Sequence, residues 1–122
     1  MAEIINLKSF SDNRGTLTAI EDFQLPFEVK RIYYIHCVAN TERGGHRHKK
    51  NSQAAICITG SCVFSVNDGT KKEDFLLDNH RKCLILEPKD WHIMHSFTAD
   101  ALLLVLASEN YDIADYIDEE YP

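Results

Sequence analysis

The chain has no lysine or arginine after Lys89, no Cys-x-x-Cys pair and no long apolar run. Each absence removes a class of function. The longest strongly apolar stretch, Ala101 to Ala107, is too short to cross a bilayer. The start, Met1-Ala2-Glu3-Ile4-Ile5-Asn6, lacks the basic and apolar regions of a signal peptide, so the cytoplasm is the expected compartment. The spacing of Cys37, Cys57, Cys62 and Cys83 does not suit zinc, and these residues read as small core side chains in a reducing compartment. Linkers, repeats and low-complexity segments are also missing, so 1–122 is read as a single domain.

The charge that is present lies unevenly. Asp90, Asp100, Glu109, Asp112, Asp115, Asp118, Glu119 and Glu120 follow the last base, and the net charge is −6. This acidic tail is expected to be a solvated terminal segment. Arg43, Arg47, Lys49 and Lys50 form a small basic cluster that could attract an anion such as a phosphate. In so acidic a chain it is too small to indicate nucleic acid binding.

Short segments rich in β-branched and aromatic residues recur between turn signals, the pattern of an all-β sandwich or barrel. The predicted strands are 4–9, 15–21, 30–38, 52–59, 62–67, 71–77, 82–86 and 101–107. Asn67-Asp68-Gly69 and Gly60-Ser61 are the expected tight turns. Tyr111, Ala114, Ile117 and Tyr121 have helix-like spacing, which predicts a short helical segment within 110–121. Strands this many and this short imply a compact double-sheet barrel of the jelly-roll kind.

His46 and His48, two apart, would point to one side of an extended backbone. Such a pair can bind a metal, move protons or do neither. Gly45-His46-Arg47-His48, with Gln53 and then Gly60, resembles the first motif of the cupins, whose fold is a double-stranded β-helix. In metal-binding cupins a glutamate stands where Gln53 is, and the second motif has its histidine one residue later than His92 does here. An amide for a carboxylate removes a charged ligand, and a one-residue shift along a strand reverses a side chain. A metal site would have to recruit His92 or His95 from irregular backbone. No metal is therefore expected.

A closer resemblance covers nearly the whole chain. Asp12-Asn13-Arg14-Gly15-Thr16-Leu17, Arg31 to Ile35, Arg43-Gly44-Gly45-His46-Arg47-His48-Lys49, Gln53, Pro88 with Trp91-His92, and Leu104 to Asp112 occur in this order. Together they resemble the dTDP-4-keto-6-deoxyglucose 3,4-ketoisomerases, small cupins that make 3-keto sugars for bacterial surface polysaccharides. The resemblance implies that His46 and His48 transfer protons, with Tyr34 as a third catalytic residue holding or protonating a sugar oxygen. It implies substrate contacts from Arg14 (to the diphosphate), Arg43, Lys49, Gln53, Trp91 and His92, no cofactor, and a homodimer that exchanges N-terminal strands. Arg47, where a small residue is usual, should face away from the pocket. A metal-dependent cupin enzyme and a non-catalytic nucleotide-sugar-binding cupin are the alternatives.

Overall fold

Sequence alternation becomes a sandwich of two antiparallel sheets in the computed structural model, which describes residues 1–36 and 39–122. The first sheet holds β1 (Glu3–Asn6), β4 (Arg31–His36), β6 (Gln53–Thr59), β9 (Lys82–Leu86) and β11 (Leu102–Ala107), in the order β1-β9-β6-β11-β4. The second holds β5 (Arg43–His48), β7 (Cys62–Asn67), β8 (Lys72–Leu77), β10 (Trp91–His95) and β12 (Tyr116–Ile117), in the order β12-β5-β10-β7-β8. A separate hairpin pairs β2 (Lys8–Asp12) with β3 (Gly15–Ala19). This is the cupin arrangement, and the all-β expectation holds.

Phe64, Val66, Leu77, Leu84, Leu103 and Val105 meet between the sheets and exclude water. A second apolar cluster lies against the first sheet, where Leu7, Leu25, Ile56, Cys83, Ile85 and Leu106 gather with Ile20, Phe27 and Val29. The centre of that sheet is therefore buried on both faces. Hence β9 reads as a continuous apolar run, Cys83-Leu84-Ile85-Leu86, where a one-sided strand would alternate. Cys57, Cys62 and Cys83 are core residues, and burial pushes the Cys83 thiol up to about 12. Cys37 and the end of the predicted strand 30–38 lie outside the described residues.

Differences from the sequence reading have local causes. The predicted strand 4–9 is two strands broken at Leu7, which is buried and whose N–H donates to Arg81 O at 2.7 Å. His92 and His95 lie on strand β10 and not on irregular backbone, because β10 is paired on both sides, by β5 and β7. Helical character in the tail is confined to one 3-10 turn, Ile113–Asp115, whose N-terminal Asp112 accepts a hydrogen bond from Ala114 N. The next two residues, Tyr116 and Ile117, are extended because they pair with His48 and Arg47 of β5. The acidic tail is thus a strap on the second sheet: Asp112, Asp118, Glu119 and Glu120 are exposed, as expected of a solvated segment, but the backbone is tied down and Asp115 is turned in. Trp91 Nε1 donates to Asp118 O at 3.0 Å, Asn67 Nδ2 to Glu120 Oε2 at 3.1 Å, and Tyr121 OH to Lys89 O at 2.8 Å.

Gly60 turns the chain from β6 into β7 at φ 68°, where a side chain is strained. An added Cβ would sit 2.6 Å from Asp100 Oδ1 and 2.9 Å from the Ala101 backbone. Gly60→Ala is therefore expected to destabilise the protein by about 1–3 kcal/mol. Urea unfolding checks this: the midpoint should fall with little change in slope.

Candidate active site

The site is built on the strand order β12-β5-β10. Period-two alternation on β5 sends His46 and His48 to the interior side, with ring centroids 5.0 Å apart. Across the ladder His92 is the register partner of His46, and cross-strand partners share a face. Their rings lie 5.2 Å apart. The pairing slips between His92 and Ile93, leaving Gly45 as an extra residue on β5, and Gly44 and Gly45 both have positive φ. A Cβ on Gly44 would lie 2.9 Å from His92 O, so glycine lets the two strands close beside the histidines. On the other edge, Tyr116 is the partner of His48 and packs on both His46 and His48, at 4.7 Å to each ring.

Below this triad of rings the hydrogen bonds come from the strap. Asp115 Oδ2 lies 3.0 Å from His48 Nδ1 and accepts from Asn51 N at 3.3 Å, while its Oδ1 accepts from Lys50 N at 2.8 Å. The backbone repeats the attachment, with Lys49 N donating to Asp115 O at 2.9 Å and His48 N to Pro88 O at 2.8 Å. His48 is 5% exposed, and its other ring nitrogen, Nε2, is buried without a protein partner.

Burial governs the charges. It holds His46 and His48 below the usual imidazole range. The neighbouring His48 lowers His46 further, against the backbone at Gly44 and the charge of Asp118. For His48 burial outweighs the hydrogen bond and charge of Asp115, which pull the other way. His92 is 1% exposed and is lowered to about 4, although its Nδ1 lies 3.0 Å from Asp90 O.

The first sheet supplies the facing wall. Gln53 Nε2 donates to Tyr33 OH at 2.9 Å, and the Arg31 guanidinium lies 4.6 Å above the Tyr33 ring. Burial raises the Tyr33 phenol, as does Tyr116, while Arg31, Gln53 and Arg43 lower it. The candidate tyrosine from the sequence, Tyr34, is 67% exposed on the outer face of β4 beside His36. Adjacent residues on a strand face opposite ways, so Tyr33 is the one that points inward, towards Gln53.

The structure thus brings together His46, His48, His92 and, on the facing wall, Gln53, with Arg43 close enough to act on Tyr33. Others stand apart. Arg14 sits at the tip of the β2–β3 hairpin with its side chain 86% exposed, paired to Asp12 at 2.6 Å. Trp91 is buried, but its indole anchors the strap instead of bordering the histidines. Lys49 is exposed at the end of β5 and borders an open concavity with Arg47, Lys89 and Ile117. Arg47 turns away from His46 and His48, as alternation requires, and stacks on Tyr121 at 4.3 Å. Sequence reasoning missed Asp115 and Tyr116, whose signal was hidden by reading 110–121 as helical. Among the described residues, no group of three or more His, Cys, Asp or Glu side chains is arranged to hold a metal ion.

Chains of known activity share this architecture. The family described as FdtA (WxcM-like, C-terminal) matches residues 1–121. A TDP-4-oxo-6-deoxy-alpha-D-glucose-3,4-oxoisomerase from Aneurinibacillus thermoaerophilus is 43% identical over 117 residues, covering 94% of this chain and 84% of that protein. The WlaRB TDP-quinovose 3,4-ketoisomerase of Campylobacter jejuni superposes with a TM-score of 0.92 at 42% identity, over 97% of this chain and 92% of that one. A variant of the 3,4-ketoisomerase QdtA from Thermoanaerobacterium thermosaccharolyticum, in complex with TDP-4-keto-6-deoxyglucose, does so with a TM-score of 0.91 at 38% identity, over 97% and 87%.

A buried histidine that stays neutral makes stability depend on pH. An unfolded His92 takes up a proton near pH 6.5, whereas the folded one resists until about 4. Its contribution is fully present above pH 6.5 and is lost as the pH falls from there towards 4, by about 3 kcal/mol in total. His46 and His48 act in the same direction. Melting temperature should therefore drop across this window, and His92→Leu should flatten the slope.

Proposed function

We infer that this chain, which belongs to the FdtA family, is a nucleotide-sugar 3,4-ketoisomerase acting on a dTDP-4-keto-6-deoxyhexose, with His46 and His48 as its proton carriers. The observation that carries the residue assignment is the pair itself. A half-buried and a buried imidazole, both held below their ordinary pKa, are side by side, and the buried one, His48, has an unpartnered ring nitrogen. Neutral at physiological pH, they can accept protons; once charged, they can donate them.

Moving a ketone from C4 to C3 begins with removal of the C3 proton, and the electron pair of the broken C–H bond becomes part of an enediolate. A proton is then delivered to C4, the former ketone oxygen at C4 takes up a proton to become a hydroxyl, and the C3 hydroxyl gives up its proton as it becomes the new carbonyl. Protons and electrons balance within one molecule, so no external oxidant or reductant is consumed. The transient oxyanion needs hydrogen-bond donors and positive charge. Tyr33, joined to Gln53, offers a hydroxyl, while Arg31 and Arg43 offer positive charge beside it. Gln53 serves here as an uncharged hydrogen-bonding group for sugar oxygens. Arg43, whose charge acts on Tyr33, and Lys49, which follows β5, are the basic residues of this segment that we assign to substrate contacts.

A homodimer completes this reading. The β2–β3 hairpin exposes Phe10 and its register partner Leu17, and the outer face of β4 exposes Ile32 and Tyr34. Apolar surface of this kind suits a second copy of the chain. The diphosphate role of Arg14 then requires the hairpin of one copy to reach the site of the other. Cytoplasmic residence fits the buried thiols of Cys57, Cys62 and Cys83. No helix among the described residues is long and apolar enough to cross a membrane.

The activity is tested by incubating the enzyme with dTDP-4-keto-6-deoxyglucose in deuterated water and following C3 exchange and 3-keto product by NMR. His46→Asn and His48→Asn should each lower turnover by about 10²–10⁴-fold. Tight binding of the nucleotide sugar with no exchange would mark a binding protein instead, and activity abolished by a chelator would mark a metal enzyme. Tyr33→Phe should impair turnover more than Tyr34→Phe does. Equal effects would remove Tyr33 from the site. For the dimer, sedimentation should show a two-chain species that Phe10→Asp with Leu17→Asp dissociates.

A further inference from the structure

The side chain that decides how His48 works comes from the far end of the chain, in the segment whose acidity marked it as a solvated tail. Asp115 is held from three sides. Lys50 N and Asn51 N donate to its carboxylate, and its own carbonyl accepts from Lys49 N. Its side chain is only 11% exposed, and the strap carrying it is fastened on by Trp91, Asn67 and Tyr121. A carboxylate so fixed cannot swing to find other partners. Among the described residues, the ring of His48 is the side chain within hydrogen-bond distance of it, at 3.0 Å.

A carboxylate only accepts hydrogen bonds, so Nδ1 of His48 must donate. A neutral imidazole has one N–H, which leaves Nε2 as a lone pair. That nitrogen is the buried, unpartnered atom beside His46 and Tyr116. We propose that Asp115 is a positioning residue of the reaction, fixing His48 as the Nδ1–H tautomer so that the Nε2 lone pair faces the substrate. The inference rests on the proton-transfer reading above. In each turnover Nε2 takes a proton from the substrate, the bonding electrons stay on the sugar, and His48 becomes an imidazolium beside the Asp115 charge. His48 later gives up a proton, so no net charge is left behind.

The titratable groups facing His48 are Asp115 and Tyr116 from the strap, His46 on its own strand and His92 on β10. Glu87 and Lys89 lie along the concavity that His48 borders. Of these, Asp115 is the one hydrogen-bonded to the ring, and it favours the charged form. Removing its charge should lower the pKa of His48 and move the acid limb of the kcat/KM profile to lower pH.

The test combines kinetics with ring-nitrogen NMR of the full chain. In the wild-type protein near neutral pH, His48 should be protonated at Nδ1 and bare at Nε2. Asp115→Asn should lower kcat by about 10²-fold with KM nearly unchanged. It should also shift the acid limb downward and mix the His48 tautomers. Asp115→Glu should restore part of kcat. A purely structural strap would lower the melting temperature of Asp115→Asn but leave the pH limb and tautomer in place, and that result overturns the proposal. So does a wild-type His48 protonated at Nε2, a readout that holds even where the variants do not fold. A wild-type protein without ketoisomerase activity would refute the functional reading, and its His48 tautomer would still report on Asp115.

Discussion

Three imidazoles sit inside an apolar sandwich, and the free-energy cost of charging them there shapes everything around them. His92, fully enclosed and stacked near Phe64, is held neutral down to about pH 4. Burial lowers His46 and His48 as well, with the Asp115 hydrogen bond and charge pulling His48 the other way. The gradient is one of burial along a single row of rings. A catalyst that must accept and release protons near neutral pH needs its imidazoles neither fully wet nor fully dry. Beyond β5 the sheet has only the two residues of β12, and there His46 is half-buried while His48 is enclosed.

That geometry constrains the rest of the chain. Rings on neighbouring strands can cluster only if the backbones approach closely, and Gly44 permits this where any side chain would strike His92 O. The row also needs a wall opposite, which the first sheet provides through Gln53 and Tyr33. Gln53 stands at the start of β6, paired on both sides, with Leu86 in β9 and Ala107 in β11. The central strands of the first sheet are buried on both faces by the segment between the hairpin and β4. The site is thus held on elements with little freedom to shift.

The strap is the part whose sequence misleads most. Its acidic residues have the composition of a solvated end, yet Asp112 caps a turn, Asp115 takes three donors and Glu120 meets Asn67. Helix-like spacing of Tyr111, Ala114, Ile117 and Tyr121 arises without a helix. Tyr116 faces the histidines, Ile117 borders the concavity with Lys49, and Tyr121 reaches back to stack under Arg47 and bond to Lys89 O. Contacts between residues some 70 positions apart, such as His48 and Asp115, leave no periodic trace in a linear pattern.

Much was legible from sequence because it depends on local rules. Alternating apolar residues with turn signals determined the all-β class and most strands. The spacing of His46 and His48 determined that they share a face, and Arg47 the opposite one. The motif series determined the family. Tertiary structure decided which neighbours those histidines have. His92 pairs with His46 beside a slip in strand pairing at Gly45, Tyr33 faces inward and Tyr34 outward because β4 has a fixed side towards the core, and Asp115 reaches His48 because the tail lies back on β5. A strand's period dictates which residues lie together on a face, but only its pairing dictates where that face points. Register and packing are set by contacts distant in the chain.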